Sequence, residues 1–153
     1  MNKFQQKFPY LFLIKTLSQK TKDISDFYLL DQKINTSLGM MLGQINCSQE
    51  HNIPINRKHL QNALKLTGPS VTNLLNKLEI KGSIIRTNRK DDNRNIEITI
   101  TEDGKKLLTD IDSALKKADT YLTLGMTEKE KKIFLDLLKR SLDNLENFSQ
   151  REQ

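Results

Sequence analysis

Between Thr67 and Lys77 the chain reads TGPSVTNLLNK. Its polar members, Thr67, Ser70, Thr72, Asn73, Asn76 and Lys77, are short hydrogen-bonding groups and one cation. Val71, Leu74, Leu75 and Leu78 recur among them at helical spacing. If those four pack inward, the polar set is left on the opposite face. An asparagine amide can pair with the edge of adenine, and serine or threonine hydroxyls can meet base edges or phosphate oxygens. Thr67 can cap the helix, Pro69 suits its first turn, and the free amides about Gly68 suit an anion. A second set follows at Arg86, Arg89, Lys90 and Arg94, with Asp92 two residues before the last. Such arginines suit phosphates or a narrow minor groove. Asp92 facing phosphate would repel it, so its expected task is to hold the Arg94 guanidinium. The chemistry suggested is recognition of double-stranded DNA, without bond making or breaking.

The elements around these residues must place them. Asn56 is an expected cap for a helix with Leu60, Ala63 and Leu64 on its inner face, followed by the turn at Thr67-Gly68-Pro69 and the helix just described. Gly82 is the expected stop. Ile84 and Ile85 open a strand, and NIEITIT over 95–101 alternates apolar and polar residues, so the two pair as a hairpin around 90–93. The order is helix, turn, helix, basic hairpin. Upstream, apolar residues at 3/4 spacing predict a helix over 10–30 and another from Ile34 to Ile45, capped by Asn35 or Thr36. Downstream, a helix opens at Thr101 and runs through Leu107, Ile111, Leu115, Ala118 and Leu122 until Gly125 breaks it. Thr127 and Glu130 form an expected capping box for a last helix. The fold class is mainly α with one small β-hairpin.

Composition agrees. The chain has 153 residues, 36% hydrophobic and 29% charged, with no tryptophan. Of its formal net charge of +6, most sits in residues 57–106, which hold 11 Lys/Arg against 6 Asp/Glu. A local basic excess favours a polyanionic partner. No apolar run is long enough to span a membrane, and the apolar patch at Tyr10–Ile14 is too short for a signal-peptide core. A cytoplasmic protein is expected. One cysteine, Cys47, fits a reducing compartment. Its nearest cations in sequence are Lys33 and Arg57, neither close, so a structural thiol is preferred to a redox sensor. His51 and His59 are too sparse for a zinc site, and no metal is expected. There is no phosphate-cradling glycine loop, no nucleophile elbow and no H-E-x-x-H, so enzymatic function is not expected.

The block TGPSVTNLLNKLEIKGSI, the segment KDDNRN with Asp92 and Arg94, and the junction ITITEDGKKLL together resemble the MarR family of bacterial winged helix-turn-helix regulators. The flanks agree, including TEKEKKIFLDLLKRSL, and the recognition block, YLF and LGMMLG are similar to the MepR-like subgroup, which represses multidrug efflux genes and responds to lipophilic compounds. The resemblance implies an N-terminal dimerisation helix over 1–33, a winged DNA-binding domain over 34–100 and C-terminal dimerisation helices over 101–153. It implies a homodimer joined by its first and last helices, with Phe8, Leu11, Phe12, Ile133, Phe134, Leu137, Leu138, Leu142, Leu145 and Phe148 as candidates. The apolar stripe of the last helix points the same way, and an interface of ~1,500 Å² or more would be ordinary. Two recognition helices would then meet a pseudo-palindromic operator with half-sites ~34 Å apart. A small lipophilic effector would sit against Tyr10, Leu13, Ile14, Leu17, Met40 and Met41, with no other cofactor. Peroxide-sensing relatives carry their cysteine in the first helix, whereas Cys47 falls late in the second. The competing functions are a winged-helix protein–protein interaction module and a thiol-based redox regulator using Cys47.

Overall fold

The computed structural model describes residues 1–89 and 92–148; for 88, 89 and 92–97 it describes the backbone only. Seven α-helices and one hairpin appear among them. They are α1 (Lys3–Lys7), α2 (Pro9–Tyr28), α3 (Thr36–Glu50), α4 (Arg57–Leu64), α5 (Gly68–Ile80), β1 (Ile84–Arg89), β2 (Asp92–Ile100), α6 (Glu102–Leu122) and α7 (Glu128–Glu146), with one 3₁₀ turn at Leu30–Gln32. Residues 1–118 form one compact unit and 119–153 a second.

Local chemistry sets most boundaries. Asn35 accepts a hydrogen bond from the Leu38 amide at 3.0 Å and starts α3. Asn56 does the same for His59 at 2.8 Å and starts α4. Each satisfies one of the amides that a helix start leaves without an intrahelical partner. In the second unit, Thr127 and Glu130 complete a reciprocal capping box ahead of α7. The N-terminal stretch, which the resemblance implies as one dimerisation helix over 1–33, divides into α1, α2 and the 3₁₀ turn. Phe8 lies outside the helical region, and α2 begins at Pro9, which separates it from the short α1. A residue before proline is disfavoured in α conformation, and proline at the first helical position has no amide to leave unsatisfied.

The core of the first unit joins α3, α4, α5, the hairpin and α6. Met41, Leu42, Ile45, Leu60, Val71 and Leu78 have no exposed surface, and Ile84, Ile98, Ile100, Leu107 and Ile111 pack with them. Met41 is therefore a core residue of its own chain. In this structure it has no surface open to an effector, unlike the exposed Met40.

The hairpin is antiparallel, with Ile84 opposite Ile100 and Arg86 opposite Ile98. Its root is tied to the helices on both sides. Gly82 adopts φ +74°, and the Ser83 amide donates to the Leu78 carbonyl at 2.9 Å. The Thr101 hydroxyl donates to the Gly82 carbonyl at 2.7 Å and accepts from the Gly104 amide at 3.0 Å, while the Thr101 amide donates to the Ser83 carbonyl at 3.1 Å. Thr101 thus caps α6 and anchors the strand entry.

Candidate nucleic-acid interface

The helix α5 presents its two faces as its periodicity predicts. Val71, Leu74, Leu75 and Leu78 are buried. Asn73, Asn76 and Lys77 are exposed, and Ser70 and Thr72 are half-buried beside them. At the N-terminus Thr67 is the cap. Its hydroxyl lies 2.8 Å from that of Ser70 and accepts from the Ser70 amide at 3.4 Å. Gly68 and Pro69 follow in the first turn. The Thr72 hydroxyl donates to the Gly68 carbonyl at 3.1 Å, which leaves its lone pairs as acceptors for a partner.

Arg86 sits differently from the simple expectation of a side chain reaching outward. From β1 it turns back onto α5. Its Nε donates to Glu79 Oε2 at 3.0 Å, its Nη2 makes a second, shorter contact with the same oxygen, and Nη2 also donates to Asn76 Oδ1 at 2.8 Å. The guanidinium hydrogen bond holds the Glu79 carboxyl below its ordinary range. Asn76 and Glu79 are three apart on α5 and therefore share a face, so one arginine can span them. The pairing of Glu79 with Arg86 was missed in the sequence. Seven positions and a change of element separate the two, and only the folded hairpin brings them together.

The strand backbone places Arg89 opposite Asp92 in the pairing register. Lys90 lies outside the described residues, as do the side chains of Arg89, Asp92 and Arg94, and with them the expected Asp92–Arg94 contact.

The other titratable candidates are quickly placed. Cys47 is exposed near the end of α3. Its Sγ lies 3.8 Å from His51 Nδ1, a nitrogen that also lies 2.8 Å from the Cys47 carbonyl oxygen. This neighbour is one helical turn on, closer than the cations weighed in the sequence. His59 Nε2 lies 2.9 Å from the hydroxyl of buried Ser48, a packing role between α4 and α3. Among the described residues no group of three or more His, Cys, Asp or Glu could hold a metal ion. No helix among them is long and apolar enough to cross a membrane.

The apolar candidates outside α5 are open. On α2, Tyr10, Leu13, Ile14 and Leu17 are exposed, as are Phe8 before it and Leu11; Phe12 is half-buried. On α3, Met40 is exposed. Not one residue of α7 is buried: Ile133, Leu137, Leu138, Leu142 and Leu145 are exposed and Phe134 is half-buried. Phe148 beyond it is exposed too.

Comparison with known proteins agrees with this layout. Residues 40–96, from α3 into the second strand of the hairpin, match the model of the MarR family. That segment is similar to the MarR family domain. Among solved structures, that of MepR from S. aureus in complex with DNA superposes on the chain with a TM-score of 0.79 and 29% identity, covering 91% of this chain and 98% of MepR. MarR from E. coli, with operator DNA, also gives 0.79, at 23% identity over 93% of this chain and 99% of that one, and so speaks for the winged-helix fold alone. The transcriptional regulator SarZ of Staphylococcus haemolyticus is 33% identical over 93 residues, 61% of this chain. YdgJ of Bacillus subtilis, also an HTH-type transcriptional regulator, is 26% identical over 100 residues, 63% of this chain. The chain spans about three-fifths of each of these two relatives, 60% of SarZ and 59% of YdgJ.

Proposed function

We propose that this protein is a sequence-specific double-stranded DNA-binding transcription regulator, a cytoplasmic homodimer that represses from a pseudo-palindromic operator and does no catalysis. The observation that carries the reading is α5 itself. Its apolar face is buried, while Asn73, Asn76 and Lys77 are exposed beside the half-buried Ser70 and Thr72. That is the division of faces a recognition helix needs to enter a major groove. The likeness to MepR bound to DNA supports the same role. In this reading Thr67, Gly68 and Pro69 place the helix N-terminus against a phosphate, and Arg89, Lys90 and Arg94 meet the backbone or minor groove, with Asp92 steadying Arg94.

The homodimer reading rests on the uncovered stripe of α7. Exposed leucines and isoleucine along a whole helix face call for a partner surface, and a second copy supplies the same stripe. Effector response rests on the exposed face of α2, where Tyr10, Leu13, Ile14 and Leu17 follow at helical spacing, with Met40 as a further candidate. A lipophilic effector bound there would have to favour the DNA-incompetent state, by ~1–3 kcal/mol for a typical coupling.

The test is selection of bound duplexes from a random pool. The reading expects two related half-sites about one helical turn apart. Recovery of no enriched sequence would contradict it and leave a protein–protein module as the function of this fold.

A further inference from the structure

Arg86 does more than join the hairpin to α5. An arginine side chain has N–H donors and no acceptor. The atom of Asn76 that faces it must therefore be the amide oxygen, and Asn76 Oδ1 lies 2.8 Å from Arg86 Nη2. The guanidinium is itself held by two contacts to Glu79, and the Arg86 side chain is only 21% exposed. Its orientation is thus fixed from behind. With the oxygen turned to Arg86, the amide of exposed Asn76 keeps both N–H donors free and one oxygen lone pair, the other being taken by the guanidinium.

Resting on the DNA-binding reading above, we infer that Arg86 is a positioning residue that sets the base preference of Asn76. The locked amide turns its two donors outward and its oxygen toward Arg86, and so favours the guanine edge. A free asparagine pairs best with adenine, using its oxygen for N6–H and its nitrogen for N7. With its oxygen held toward the guanidinium, the locked amide makes the first of those bonds poorly. Guanine offers two acceptors side by side, O6 and N7, and fits the two donors. Glu79 and Arg86 therefore shape specificity without touching a base.

The experiment repeats duplex selection from a random pool with the full wild-type chain, Asn76→Ala and Arg86→Ala. The position where Asn76→Ala loses preference marks the base pair that Asn76 reads. At that position the wild type is expected to favour guanine over adenine by roughly tenfold. In Arg86→Ala the amide turns freely, adenine enters, and the ratio falls below about threefold. A purely structural role for Arg86 would weaken binding to all duplexes and leave that ratio unmoved. Wild-type preference for adenine at the marked position overturns the inference, and this comparison stands even if Arg86→Ala fails to fold. An unchanged ratio in a folded Arg86→Ala also overturns it, as does uniform loss in Asn76→Ala. If the wild type enriches no duplex, the DNA-binding reading falls, and this one with it.

Discussion

At the residue scale, the side chains on and around α5 divide, on the DNA-binding proposal, into those that read and those that hold. Asn73 belongs to the first group. It is exposed and lies on the face opposite Val71 and Leu78. Asn73→Ala is expected to relax sequence preference at one position of each half-site, at a cost of about 1–3 kcal/mol if the amide makes a bidentate base contact. Competition between duplexes that differ at that position measures it, and equal loss on all of them would assign Asn73 to phosphate. The exposed face of α5 was legible in the sequence because a buried stripe at 3/4 spacing defines its own opposite face. The holding residues were not. Arg86 reads as one more cation of a basic segment, and nothing local says that Glu79 and Asn76 take its donors. Met41 is a similar case. Beside Met40 it looks like half of an adaptable lining, but adjacent helical residues point about 100° apart, and one falls into the core while the other stays outside.

At the scale of elements, capping chemistry carried most of the information. Asn35, Asn56, Thr67 and Thr127 each sit where a side-chain oxygen meets an orphan amide, and all four are visible as residue types ahead of apolar periodicity. The break at Phe8–Pro9 follows from the proline rule, and the helix that periodicity predicts over 10–30 begins just past it. The junction between hairpin and α6 has a feature that periodicity hides. Gly104 lies in the first turns of α6, where the backbone passes close to the hairpin root. A Cβ there would run into the Ser83 carbonyl oxygen and come within 2.8 Å of Ile100 Cγ2. Gly104→Ala, a favourable change in most helices, is therefore expected to destabilise this one by about 1–3 kcal/mol through overpacking. Denaturant unfolding checks it. A stabilised Gly104→Ala would mean that the hairpin root is not clamped to α6. The same clamp fixes where the wing leaves the core, so the variant is also expected to weaken duplex binding.

At the scale of the whole molecule, the question is what covers α7. No residue of α7 is buried, although helices in proteins draw most of their stability from packing an apolar face. On the proposed homodimer reading, a second copy supplies the missing burial. Replacing both Leu137 and Leu142 with aspartate is expected to give a species of monomer mass in sedimentation at micromolar concentration. It is also expected to lose at least tenfold in duplex affinity, since one recognition helix then binds without its partner. A dimer that survives both substitutions would place the interface elsewhere. The sequence showed the stripe, but a stripe alone does not distinguish cover by the same chain from cover by another. The double substitution is what separates them.

The central claim is that the α5 face and the basic wing bind duplex DNA by reading its sequence. Titration of a fluorescent duplex, carrying the selected site or a scrambled one, over a range of salt concentrations tests it most directly. The account predicts affinity that falls steeply with salt on both duplexes, as counterions released from phosphates require, with the selected site favoured throughout by at least about a thousandfold. No binding even at low salt, or equal binding to both duplexes, would contradict it.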